Sequence, residues 1–237
     1  ASLRALASGS ANFIAAPTIL RAITPLLGSK SGESGRLHAL ALRILTEMWI
    51  HNRELGPRLR AALENASNSH DSAVVLGCAA AVVAAARAHP FRATELVVPM
   101  QACLDSKLPA AQALALEAID IMCEHDALDF LPAFKVVIRH MPTRPEHPLV
   151  GQMWMKLLRH SGPIASTSPD VVATFVQHLW EAIKVSAIPA VRREAWNALQ
   201  HYNLEFIAEV GEPTLGQISQ AALDEEDASV TEGITHT

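Results

Sequence analysis

The feature that most constrains this chain is a repeat of paired helical segments with a period of about 36 to 44 residues. Apolar residues recur every three or four positions in segments of roughly 10 to 18 residues, which proline, glycine or Ser/Asp clusters separate. When every second segment is aligned, two marks recur in one register. These are a small residue (Ala41, Gly77, Ala115, Gly151 and Ala195) and a histidine near the end of the same segment (His51, His89, His125, His160 and His201).

Two independent marks in one register are typical of HEAT or armadillo-like repeats, which have two helices per unit. One such unit cannot bury its own apolar face, so neighbouring units stack into a continuous core. The predicted fold class is therefore all-α, an α-solenoid of helical-hairpin repeats wound into a right-handed superhelix. Helices are predicted over residues 16–27, 36–51, 56–66, 71–88, 91–105, 109–125, 129–141, 146–160, 169–185, 189–202 and 214–223.

The same register predicts the domain organisation. Residues 1–223 are expected to form one solenoid of about five helix pairs, and residues 224–237 an acidic, disordered tail. The chain lacks an initiator methionine, so we expect it to be part of a longer chain or a processed product. The predicted units are 1–30 (partial), 34–68, 71–106, 109–144, 146–186 and 188–223.

Composition narrows the class of protein. The chain is 50% apolar and 5% aromatic, which excludes disorder of the whole chain and disfavours strands. Residues 1–204 hold nineteen basic against sixteen acidic side chains, too sparse an excess for the dense basic stripe of a nucleic-acid-binding protein. The longest uncharged apolar run, residues 73–86, is too short to cross a membrane, which takes about 20 residues.

The cysteines indicate the compartment. Cys78, Cys103 and Cys123 each lie in an apolar helical segment, their number is odd, and none forms a C-x-x-C motif. Buried, reduced, structural thiols of a cytoplasmic protein are the expected reading.

Residues with catalytic or metal-binding chemistry are not expected to converge. Histidines at equivalent positions of stacked repeats lie about 8–10 Å apart, which is one helix spacing, so they form a ladder of helix end caps. The motifs of hydrolases and metalloproteases are missing, and the glycine-rich stretch 26–35 lacks the spacing of a phosphate-binding loop. We therefore expect no enzymatic activity and predict no catalytic residue, cofactor or metal; phosphorylation is conceivable at Ser29, Ser31 and Ser34.

Two groups of arginines remain to be explained. Residues 1–60 carry eight basic and three acidic side chains, and Arg53, Arg58 and Arg60 form a candidate surface for an acidic partner or for the tail of the chain itself. An ordinary solvated helix face is the simpler alternative.

The second group lies in "IPAVRREAWNAL", residues 188–199. Helical geometry at about 100° per residue places Ala195 on the core face with Val191, Ala198 and Tyr202, as it does Ala115 in its own repeat. Arg193 is expected in solvent. Arg192 precedes Trp196 by one turn, so we expect its guanidinium to stack on the indole as a structural contact between units.

Four stretches carry a resemblance. They are "LHALALRILTEMW" with "GPRLRAAL", "AAQALALEAIDIMCEHDAL", and "FVQHLWEAIKVSAIPAVRREAWNAL". Together they resemble the helical-repeat region of the focadhesin family over much of residues 36–200, whereas the segment after Asn203 matches least.

The resemblance implies a cytoplasmic scaffold that is associated with focal adhesions and supports the superkiller RNA-decay helicase assembly. It supplies no site residues. Two other functions remain open from the sequence: a transport-receptor or regulatory-subunit solenoid, which needs an acidic inner surface, and an enzyme built on α–α repeats, which needs carboxylates and histidines in one deep pocket.

Overall fold

The computed structural model describes residues 16–28, 35–141 and 147–210, and in these ranges every regular element is helical. Most helices lie where the apolar periodicity predicts them. Three 3-10 turns, Arg53–Leu55, Thr94–Leu96 and Arg159–Ile164, connect some of them. The α-helices are α1 (Ala16–Leu27), α2 (Gly35–His51), α3 (Gly56–Ser67), α4 (Ser72–Ala88), α5 (Pro90–Ala93), α6 (Val97–Leu104), α7 (Pro109–Glu124), α8 (Phe130–His140), α9 (Pro148–Leu158), α10 (Pro169–Val185), α11 (Pro189–Leu199) and α12 (Leu204–Val210).

Local chemistry explains where helices begin. The carboxylate of Asp71 accepts a hydrogen bond from the backbone N–H of Ala73 (2.8 Å) and so caps α4. Seven of the described helices have proline in their first two positions, where the missing N–H costs no hydrogen bond. These prolines are Pro17, Pro57, Pro90, Pro109, Pro148, Pro169 and Pro189.

The predicted helix 91–105 is not continuous. It is divided into α5, the 3-10 turn at Thr94–Leu96, and α6, with Pro99 buried in the first turn of α6. The physical reason is that Pro99 has no N–H to donate to the carbonyl four residues earlier.

The chain divides into two compact units, Ala1–Val150 and Gly151–Thr237. In the first unit, α2, α4 and α7 pack side by side in chain order and form one layer. The second helices of the same pairs, α3, α6 and α8, pack on one another in the same order, and α3 and α6 also pack against the first layer. Equivalent helices of successive pairs are therefore neighbours.

The small residues of the repeat lie where helices approach closely. Ala41 on α2 and Ala115 on α7 are fully buried. Both helices pack against α4. A Cβ on Gly77 of α4 would lie 2.6 Å from the Cβ of Ala39 on α2. The predicted close approach is confirmed at this pair of helices.

In the second unit, α10 packs against α11 and α12, and both α10 and α11 contact the 3-10 turn at Arg159–Ile164. The predicted core face of α11 is confirmed, because Val191, Ala195 and Ala198 are buried and Tyr202 follows on the same side. Arg193 is exposed, as its opposite position on the helix requires.

One helix was not predicted. Helix α12 begins after Asn203, whose side-chain oxygen accepts a hydrogen bond from the N–H of Glu205 (2.9 Å). Asparagine before an apolar turn is the signal for such a start. The predicted helix 214–223, the tail 224–237 and the serines at 29, 31 and 34 lie outside the described residues.

Within the ranges that the structure describes, no helix combines the length and apolar character that a membrane crossing requires.

Candidate functional site

The three arginines proposed as a binding surface lie at the start of the second helix layer. Arg53 belongs to the 3-10 turn that the side chain of Asn52 caps, accepting from the N–H of Glu54 (3.0 Å). Arg58 and Arg60 follow in the first turns of α3. All three are exposed, so the structure presents them to solvent.

The arginines do not form one continuous patch. Residues two apart on a helix point in nearly opposite directions, so Arg58 and Arg60 lie at the two edges of the exposed face of α3, whose other side buries Leu59 and Leu63. Arg60 also forms an ion pair with Glu64 at 3.7 Å, one helical turn later. Since both side chains are about half exposed, this pair is worth little, but it reduces the charge that Arg60 offers a partner.

Carboxylates adjoin the rest of the arginine surface. Glu54 is exposed next to Arg53, and the Oε2 of Glu95 would lie 3.4 Å from a Cβ on Gly56. The surface is therefore of mixed charge. Among the described residues, Arg53 and Arg58 form no ion pair.

A joint between successive helix pairs lies at the C-terminal end of α2. The guanidinium of Arg92 lies 4.2 Å from the ring centroid of Trp49, and its Nη2 donates a hydrogen bond to Trp49 O (3.1 Å). The imidazole of His89 donates to Ile50 O (3.0 Å) and meets the edge of the same indole. Side chains that follow α4 thus satisfy the carbonyls left open at the end of α2.

The contact between Arg92 and Trp49 is not predicted from the sequence. Trp49 is 43 residues from Arg92, beyond any local spacing rule. The only available signal was His89 followed by proline at the end of a repeat.

The predicted stacking of Arg192 on Trp196 is not what the structure shows. The Nη1 of Arg192 donates to Ser186 O (2.9 Å), which fastens the loop before α11, and the cation–π contact recorded in this unit is Lys184 on Trp180 at 5.5 Å. A carbonyl at hydrogen-bonding distance offers a partly buried guanidinium a directed, charge-assisted bond, which is stronger than an exposed cation–π contact.

The second unit has its own joint at the end of α9. The hydroxyl of Tyr202 donates to Leu158 O (2.7 Å), and the hydroxyl of Ser161 donates to the same carbonyl (2.9 Å). Ser161 and Tyr202 also contact each other through their oxygens. Burial raises the pKa of Tyr202, so this hydroxyl remains a donor well above neutral pH.

Gly162 makes this joint possible. A Cβ at Gly162 would overlap the backbone carbonyl of His201, which follows α11. Because a backbone group cannot move aside as a flexible side chain can, only glycine fits this approach.

Three histidines of the repeat lie at the C-terminal ends of helices, either as C-cap residues or as the last helical residue. His89 and His125 are the C-cap residues of α4 and α7, and the Nδ1–H of His125 donates to Ile121 O (2.9 Å) in its own helix. His51 is the exposed last residue of α2. In the described residues, no group of three or more His, Cys, Asp or Glu side chains is arranged to hold a metal ion.

The three cysteines are buried and free, as the sequence predicts. Cys78 and Cys103 lie in contact, with 4.0 Å between their sulfur atoms, whereas Cys123 has no thiol neighbour.

One family comparison decides what kind of chain this is. The family model described as Focadhesin/RST1, with the domain of unknown function DUF3730, matches residues 1–199. The chain belongs to the Focadhesin/RST1 family. The match includes all four stretches that carried the resemblance and confirms it. No curated protein and no solved structure shows significant similarity to the chain.

Proposed function

We propose that this member of the Focadhesin/RST1 family is a non-enzymatic scaffold segment that binds other proteins in the cytoplasm. The fold we propose for it is a HEAT/armadillo-like α-solenoid with a right-handed superhelix. The observation that supports this most strongly is the neighbour order of the first unit, where α2, α4 and α7 form one layer and α3, α6 and α8 another. That order is what stacked helix pairs produce.

The joints suit a scaffold. Side chains that follow one helix satisfy the carbonyl ends of the previous first-layer helix, as Arg92 and His89 do for α2. Such contacts fix the orientation of successive pairs while leaving the outer side of the second-layer helices free. A partner-binding surface on rigid helices loses little entropy when it binds.

The second-layer helices offer side chains that a protein partner can use. Val98 on α6 is 58% exposed and Ile138 on α8 is 44% exposed, and Arg58 on α3 and Lys135 on α8 are exposed cations. Apolar side chains among cations favour a protein segment that carries both apolar and acidic residues. Exposed cations here also weigh against a transport-receptor solenoid with an acidic inner surface.

The family membership supplies the candidate partners, namely the superkiller RNA-decay assembly and focal-adhesion proteins. The test is affinity capture with the 237-residue chain, using purified superkiller subunits as prey. We expect retention of the prey, and at least a tenfold loss when Arg53, Arg58 and Arg60 are all changed to glutamate. Three reversals in one exposed segment remove the cations without disturbing the core.

Arg193→Glu is the matched control, because Arg193 is equally exposed but lies on α11 in the second unit. Unchanged capture by the triple variant would reject the arginine surface. Failure of the native chain to retain any of these preys would reject the partner assignment.

A further inference from the structure

Two thiols meet in the core of the second helix pair. Cys78 lies on α4 and Cys103 near the end of α6, and both are fully buried. The S–H of Cys103 points to the sulfur of Cys78 at 4.0 Å, and the S–H of Cys78 donates to Leu63 O on α3 (3.4 Å). The scaffold function gives this chain of thiols no role.

We propose that Cys78 and Cys103 are a redox-active pair that hydrogen peroxide converts into a disulfide, which then staples α4 to α6.

The geometry requires little movement. A disulfide holds its sulfurs about 2.05 Å apart, so the two atoms must approach by roughly 2 Å, which side-chain rotation and a small helix shift supply. Cys103 and Cys78 belong to the two helices of one pair, and these helices already pack on each other. The crosslink would therefore join two helices that are already neighbours.

Access comes from the helix that carries Cys103. α6 is eight residues long, follows a 3-10 turn and contains Pro99, and Cys103 is its penultimate residue. A short helix with few internal hydrogen bonds opens locally more easily than the seventeen-residue α4. Peroxide, a molecule little larger than water, can reach the sulfur when this helix end opens.

The two thiols divide the chemistry. The pKa of Cys103 is lowered because the S–H of Cys78 can turn and donate to its thiolate, whereas the same contact and burial raise the pKa of Cys78. Cys103 also lies at the helix end that opens, so its thiolate is the nucleophile that meets peroxide first.

The reaction balances in two steps. The Cys103 thiolate attacks one oxygen of hydrogen peroxide, the O–O bond breaks, and with one proton the products are a sulfenic acid and water. The sulfur of Cys78 then attacks the Cys103 sulfur, the S–O bond breaks, and the hydroxyl leaves with the Cys78 proton as a second water. The two sulfurs lose two electrons in total, and the peroxide gains them.

Cys123 provides an internal control. It is buried on α7 without a thiol neighbour, and burial, with the charge of Asp120 next, raises its pKa to about 12. It should remain a thiol while the pair reacts.

The test treats the folded 237-residue chain with hydrogen peroxide, alkylates the free thiols after denaturation, and maps disulfide-linked peptides by mass spectrometry. We expect a loss of two hydrogen atoms, one linked pair containing Cys78 and Cys103, alkylation of Cys123 alone, and reversal by dithiothreitol. The disulfide would close the loop between residues 78 and 103, which should raise the melting temperature by about 5 °C.

Cys123→Ala should still form the crosslink and Cys103→Ala should not. If a cysteine variant fails to fold, the peptide map of the native chain decides alone. Three alkylated thiols after peroxide, a linkage that involves Cys123, or oxygen added to Cys103 without a crosslink would each overturn the proposal.

Discussion

Arg92 and Arg192 show what a residue contributes beyond its local pattern. Both are partly buried, and both donate to a backbone carbonyl, but only Arg92 also covers an indole. The sequence offered Trp196 to Arg192 at a favourable helical spacing, and the guanidinium bonded instead to Ser186 O. A helical spacing shows which contacts are feasible, and competing partners decide which one forms.

Replacement of Arg92 tests the joint at the end of α2. Arg92→Ala removes a cation–π contact and a hydrogen bond to a buried helix end, so we expect a loss of about 1–2 kcal/mol in the free energy of unfolding, measured by urea denaturation. Arg60→Ala is the control, because it removes a half-exposed ion pair and should cost under about 0.5 kcal/mol. Equal losses of unfolding free energy in the two variants would show that the contact of Arg92 with Trp49 does not stabilise the chain.

Arg192 and Arg193 form a matched pair on α11. Arg192→Ala should lower the melting temperature more than Arg193→Ala, because only Arg192 holds a carbonyl of the preceding loop. The difference should be about 1 kcal/mol in unfolding free energy. Equal melting temperatures for the two variants would show that Arg192 has no structural role.

His38 makes stability depend on pH. It is buried in α2, its Nε2 has no hydrogen-bond partner, and burial lowers its pKa below the ordinary value of 6.5, partly offset by the charge of Asp71. The unfolded chain therefore binds a proton that the folded chain resists, and this contribution to stability is lost as pH falls below about 6.5.

We expect a lower urea midpoint at pH 5.5 than at pH 7.5, and a smaller difference for His38→Gln. A variant with the same pH dependence as the native chain would show that other groups carry the effect.

At the scale of elements, two glycines set how closely segments approach. Gly77→Ala would place a Cβ against Ala39 on α2, and Gly162→Ala would place one against the backbone that follows α11. Both should destabilise the chain by about 1–3 kcal/mol through overpacking, with Gly162→Ala the worse because its Cβ would come closer to the neighbouring backbone than that of Gly77→Ala comes to Ala39.

Gly28→Ala is the control for both glycines, since a Cβ there meets no atom within 4 Å. Thermal and urea unfolding of the three variants tests the order. If Gly77→Ala matched Gly28→Ala, the close approach of α2 and α4 would not be a constraint on stability.

Helix boundaries show how far element prediction reaches. Proline at the first turn and small polar caps place most starts correctly, because they act within one or two turns. The break between α5 and α6 and the short helix α12 are not predicted: Pro99 lies inside the predicted helix 91–105, and no helix is predicted between 189–202 and 214–223, where α12 begins after Asn203. In both places the sequence holds a local signal, proline for the break and asparagine for the helix start. Whether such a signal ends or begins a helix depends on packing against residues distant in sequence.

At the scale of the whole molecule, each compact unit should fold by itself. In the first unit the helix layers cover one another's apolar faces, and in the second α10 is covered by α11 and α12. Fragments 1–146 and 147–237 should each show helical circular dichroism, and fragment 1–146 a cooperative thermal transition. A gradual, non-cooperative melt of fragment 1–146 would contradict its independence.

The sequence by itself determined the all-helical class, most helix positions, the buried face of α11, the buried cysteines and the family. Each of these depends on periodicity or on residues within a few turns, which the chain order preserves. Only the tertiary structure decided that Arg92 rather than Arg192 covers an indole and that Cys78 meets Cys103. Those contacts join side chains that can be tens of residues apart, and their geometry depends on how helices pack, which no local spacing encodes.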